Sequence, residues 1–143
     1  MFDNNSELPI LDPIDGVDWY IQNMISLANH GIDVGITLTV GGTVMSGKLI
    51  SGKKYFDLVT EQIESSLSDE NFKKVFVSFL ESNSARYQGS PSEMPATQNA
   101  YIHLMDAKIF DSQGNSIPTN EGLLWRGKLD SISGISIGTI SPA

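Results

Sequence analysis

From Ile32 to Ser51 the chain reads IDVGITLTVGGTVMSGKLIS. Ile32, Val34, Ile36, Leu38 and Val40 alternate with Asp33, Gly35, Thr37 and Thr39. A period of two puts the apolar set on one face of a half-buried strand. Gly41-Gly42 follows, a pair suited to a tight hairpin turn. TVMSGKLIS then reads as the returning strand, and Gly47 inside it marks a bend or bulge. An antiparallel hairpin therefore stands at the centre of the fold.

Upstream, Val17, Tyr20, Ile21, Met24, Leu27 and Ala28 recur at helical spacing. With Asp15 or Asp18 as cap and Gly31 beyond the end, this predicts one amphipathic helix over about 17–30. Residues 1–15 read as a flexible acidic lead-in. Downstream, Phe56, Val59, Ile63 and Leu67 share one helical face. A cap in the SDEN stretch starting at Ser68 then opens a second helix bearing Phe72, Val75, Phe76, Phe79 and Leu80. A loop with Gly89, Pro91 and Pro95 closes this block, so 53–99 is expected to be a helical insertion between β elements.

Strand character returns in AYIHLMDAKIFD, apolar on both faces. After the turn-rich SQGNSIPTNEG, GLLWRGKLDSI and ISIGTIS predict two short strands with a turn at Ser133-Gly134. The expected class is mainly β with helices (α+β), in a single domain over 1–143. It is a small five-stranded barrel of the Sm-like or SH3-like kind, with an N-terminal helix and a helical insertion between the second and third strands. Ile36, Leu38, Val40, Leu49, Leu104, Trp125 and Leu129 are the expected core. The insertion is expected to cover one face of the barrel or to form a lid over a partner surface.

The chain of 143 residues is 40% hydrophobic, enough to bury a core. It has no cysteine, which removes disulfides, thiol catalysis and cysteine-ligated zinc. The N-terminus shows no signal-peptide pattern, and no apolar run nears the ~20 residues of a membrane helix. Net charge is −8, with Asp3, Glu7, Asp12, Asp15 and Asp18 early and the first Lys or Arg only at Lys48. Nucleic-acid affinity comes largely from Lys and Arg, so this balance turns the expectation away from RNA and DNA.

No constellation for catalysis stands out. His30 falls at the end of the first helix, where a cation suits the dipole. His103 lies among apolar neighbours in a strand. Histidine pairs at metal-ligand spacing, nucleophile elbows and phosphate-binding glycine loops are all missing from the sequence. Asp57, Glu61 and Glu64 share a helix face and read as a solvated charged surface. An enzyme is not expected, and no catalytic, metal or cofactor residue is assigned. A small-molecule pocket between insertion and barrel has no motif behind it. In GLLWRGK, Trp125 and Arg126 occupy opposite faces of their strand. Trp125 is expected inward, and Arg126 is expected as a surface, interface or structural arginine or as a specific contact to a partner carboxylate or phosphate. Gly127 would let another backbone come close.

Two resemblances sharpen this. The initial helix, the hairpin with its internal glycine, Leu104-Met105-Asp106, and Trp125-Arg126-Gly127 followed by Ile132 come in the order of an Sm-like barrel. In that superfamily an arginine-glycine pair helps bind RNA, which Arg126 and Gly127 match. The usual asparagine is replaced by Tyr101, and the helical insertion displaces the third strand. Such proteins form rings through edge strands, implying a homo-oligomer. The segments HGIDVGITLTVGGTVMSGKLISGKKYFD, YIHLMDAKIF and LLWRGKLDSISGISIGTIS resemble gas vesicle accessory protein U over roughly 30–67 and 100–141. This resemblance implies a non-enzymatic gas vesicle accessory protein of the bacterial cytoplasm, associated with gas vesicles. It would act in vesicle assembly or clustering through self-association and protein–protein contacts. Its expected partners are itself and gas vesicle proteins, with no membrane and no cofactor. The alternative is an Sm-like RNA-binding module. Trp125, Arg126, Gly127, Lys128, Tyr101 and His103 are the candidate interface. Arg126→Ala is expected to alter association more than monomer folding.

Overall fold

A computed structural model describes residues 17–87 and 100–140. The expected lead-in at 1–15 and the loop with Gly89, Pro91 and Pro95 lie outside the described residues.

Helix α1 spans Trp19–Asn29, capped by the Asp18 carboxylate, which accepts from the Tyr20 amide at 3.1 Å. Strands β1 (Val34–Val40) and β2 (Thr43–Ile50) form the anticipated hairpin, with Val40 opposite Thr43. Gly41 (φ 57°) and Gly42 (φ 81°) both take the left-handed conformation that a two-residue turn of matching twist requires. The β2–β3 register shifts between Ser46 and Lys48, so Gly47 sits at the expected bulge.

The insertion is a helical hairpin. Ser51 caps α2 (Gly52–Ser66), and Asp69 caps α3 (Glu70–Ser84), followed by a 3₁₀ turn at Ala85–Tyr87. The cap of α3 is thus Asp69 rather than Ser68, its carboxylate accepting from the Phe72 amide at 3.0 Å. The remaining strands are β3 (Tyr101–Phe110), β4 (Ser116–Ile117), β5 (Leu123–Lys128) and β6 (Ile132–Ile137). Between the last two, Leu129–Ser131 makes a 3₁₀ turn. The turn expected at Ser133-Gly134 is therefore displaced, because Leu129 is drawn into the core and 132–137 pairs with β1.

All ladders are antiparallel. The order is β4-β3-β2-β1-β6, with β5 on β3 beside β4. One 3₁₀ turn joins β5 to β6 at opposite edges. A flat sheet would hold those edges about 19 Å apart, whereas a turn of this length advances only about 8 Å. The sheet must therefore curl, yet no ladder joins β5 to β6 among the described residues. The expected closed five-stranded barrel is corrected to an open six-stranded sheet with three helices among the described residues. Closure fails where Leu129 plugs the gap and its amide donates to the Ala100 carbonyl at 2.9 Å, prolonging the β3–β5 side.

The core lies between α1 and the concave face. Ile21, Met24, Ile25 and Ala28 pack against Ile36, Leu38, Met45, Leu49, Ile102, Leu104, Ala107 and Leu129. Each of the isoleucine, leucine and methionine side chains among them contributes about 1.5–3 kcal/mol on leaving water. Ile36, Leu38, Leu49, Leu104 and Leu129 are buried as expected, whereas Val40 and Trp125 are half-buried at its margin. On the convex face α2 packs against β3 and β5, and α3 packs mainly on α2.

Candidate interaction surface

Strand β5 carries four of the candidate residues. It runs against β3, so Trp125 faces Leu104, Arg126 faces His103, Gly127 faces Ile102 and Lys128 faces Tyr101. Directly opposed residues share a sheet face. Trp125 and Gly127 accordingly lie on the core side with Leu104 and Ile102. Tyr101, His103, Arg126 and Lys128 lie on the convex side, toward the insertion.

On the convex side the Arg126 guanidinium is held by the protein itself. Its Nη1 donates to Tyr87 Oη at 2.7 Å and to His103 Nε2 at 2.7 Å. An arginine cannot accept, so His103 is the acceptor and carries its proton on Nδ1. The guanidinium carbon sits 4.0 Å from the centre of the Tyr101 ring and 5.5 Å from that of Phe56. Such a cation over a ring adds about 0.5–2 kcal/mol, depending on solvent exclusion. Tyr55 and Tyr87 enclose the imidazole, with centroids at 4.9 and 5.6 Å. His103 is only 2% exposed. Burial, and then the adjacent Arg126 charge, push its pKa down from 6.5 to about 3. Burial raises the Tyr55 pKa, opposed by Arg126.

The arrangement is a clamp. Tyr55 and Phe56 come from the first two turns of α2, Tyr87 from the 3₁₀ turn, and the other members from the sheet. Closing it fastens the start of α2 and the 3₁₀ turn after α3 to β3 and β5. A neutral His103 whose Nε2 is occupied is a poor base and a poor ligand. Among the described residues, no group of three or more His, Asp or Glu side chains could hold a metal ion.

Several expectations change with this geometry. His103 is buried and cannot meet a partner in this state. Arg126 is half-buried, and its Nη1 is engaged within the protein by Tyr87 and His103 rather than turned outward. Gly127 accommodates the Trp125 ring rather than a second backbone, since a Cβ there would overlap that ring. Tyr101 is half-buried under the guanidinium, and of the six candidates only Lys128 is exposed. Tyr55, Phe56 and Tyr87 were missed as partners. The adjacent aromatics just after β2 were the available signal, but nothing local ties them to a strand so far along the chain.

Accessible apolar surface lies elsewhere. Phe72, Val75 and Phe79 are 56%, 72% and 60% exposed. Their spacing puts them on one side of α3, away from α2. The short β4 and the longer β5 and β6 each pair on one side only among the described residues, leaving the edges of β5 and β6 as the longer open ones.

The model of the family described as Gas vesicle protein GvpU-like matches residues 18–140. The chain belongs to this family. The match runs from the cap of α1 to the segment after β6, so it covers sheet, clamp and insertion together. Membership marks a gas vesicle-related protein and bears out the resemblance carried by the hairpin and WRGK segments. Searches of curated proteins and of solved structures returned no match. Among the described residues of this GvpU-like chain, no helix is long and apolar enough to cross a membrane.

Proposed function

We propose that this GvpU-like protein is a non-catalytic accessory factor that acts in gas vesicle assembly or clustering, through self-association and contacts with vesicle proteins. Family membership over 18–140 is the observation that carries the reading. The open edges of β5 and β6 and the exposed Phe72, Val75 and Phe79 support it. An open edge offers a row of backbone donors and acceptors to another chain, and a large exposed apolar patch seeks cover. The β5 and β6 edges would pair copies into a homo-oligomer, with Lys128 beside the contact. The helical face would meet a vesicle protein in the cytoplasm. Arg126 acts from behind, by holding the insertion that presents α3.

Flotation of gas vesicles from producing cells tests this. Tagged protein should rise with the vesicles, and deletion of its gene should change vesicle number or clustering. Protein left in the infranatant, with vesicles unchanged by deletion, would overturn the reading.

A further inference from the structure

The convex face of β1–β3 carries a groove apart from the clamp. After β6 the backbone turns across the sheet and is tied down at three points. The Gly138 amide donates to the Gly35 carbonyl at 2.8 Å, Thr37 Oγ1 donates to the Gly138 carbonyl at 2.8 Å, and the Ile140 amide donates to Ser46 Oγ at 3.0 Å. This strap forms one wall. The floor is shallow at Gly35, and the opposite side carries Lys48, Lys108 and Phe110. The groove has a volume of ≈ 580 Å³, within the roughly 300–1,000 Å³ typical of small-molecule sites.

We propose that this groove binds a small molecule carrying a carboxylate or phosphate next to an apolar group. Lys108 lies opposite Ser46 and Lys48 opposite Met105, so the two lysines stand on neighbouring strands above one floor. Like charges so placed repel unless an anion joins them. Neither has an acid within ion-pairing distance among the described residues. Asp106 lines the groove too, but its carboxylate accepts from the Gly122 amide at 2.8 Å. In a chain of net charge −8, two lysines against the one carboxylate of Asp106 leave this concavity with a local excess of positive charge. Each ammonium offers three donors to an oxyanion. Phe110 and Ile140 supply apolar contact at the same opening, which favours an anion with an apolar body over a bare ion.

The test is an amide-resolved NMR titration of the full chain with inorganic phosphate, phenyl phosphate and phenylacetate. Saturating shifts should be confined to residues 46–48, 108–110 and 138–140. At least one phenyl probe should bind about threefold or more tighter than inorganic phosphate, since burying part of the ring adds to affinity. The tighter phenyl probe identifies the headgroup. Lys48→Gln with Lys108→Gln should weaken binding roughly tenfold or more through loss of charge-assisted hydrogen bonds. Lys48 is exposed and Lys108 half-buried, and an unchanged unfolding midpoint checks the fold of the double variant. Scattered or unsaturated shifts at roughly 20 mM probe, no gain from the phenyl group, or undiminished binding by the double variant would each overturn the proposal.

Discussion

Arg126 is the residue on which the reading turns. Removing it strands two buried partners, Tyr87 Oη and His103 Nε2, that then lack their donor. Arg126→Ala should therefore cost about 1–3 kcal/mol in urea unfolding, which reverses the expectation that association would suffer more than folding. Retention of full stability would show the clamp to be incidental. His103 adds a dependence on pH. Its folded pKa, about 3, lies below its ordinary 6.5, so the unfolded chain takes up the proton first as pH falls. The stabilisation is complete above about pH 6.5 and is lost on descending toward pH 3. Between pH 6 and 5, above most carboxylates, stability should fall by about 1 kcal/mol per pH unit. In His103→Gln, which keeps an acceptor for Arg126, that slope should flatten. An equal slope in both proteins would place the titration elsewhere.

At the level of elements, α3 separates stability from contact. Phe72, Val75 and Phe79 contribute little to the monomer because they remain in water. Phe72→Ser with Phe79→Ser should shift folding stability by less than about 1 kcal/mol in total. The double variant should nevertheless lose vesicle association in flotation, and retained association would remove α3 as the contact. The cap offers a local control. Asp69→Ala should cost the helix about 1 kcal/mol, read as faster amide exchange in α3, whereas Ser68→Ala should change little. Ile137, on the β6 edge and 63% exposed, tests the other route. Ile137→Lys should disfavour strand addition and shift sedimentation toward the monomer.

For the whole molecule, charge sets the conditions of assembly. Copies that each carry −8 repel one another. Contacts through edges and apolar helix faces should strengthen as salt screens that repulsion, so the weight-average mass should rise between about 0.01 and 0.15 M salt. A falling mass would point instead to contacts made by opposite charges. Much at this scale was legible in the chain itself. Period two over 32–50, the glycine pair at 41–42 and the helical spacing over 17–30 are local, and local sterics and solvent exclusion suffice to specify them. The same patterns settled most of the core face, including Ile36, Leu38, Leu49, Leu104 and Leu129. They also carried the family, because the distinctive segments are contiguous. Closure of the sheet, the place of the last turn and the fate of Arg126 were not legible. Each depends on pairings between distant segments: Leu129 with Ala100, residues 132–137 with β1, and Arg126 with Tyr87 and His103. A strand's periodicity states which side chains share a face, but not what lies over that face. The sequence determined the elements and their apolar sides, whereas the tertiary structure decided that Arg126 is a clamp rather than a contact. The physical reason is that the acceptors of its Nη1, on residues 87 and 103, and the ring of Tyr101 under its guanidinium come together only on folding.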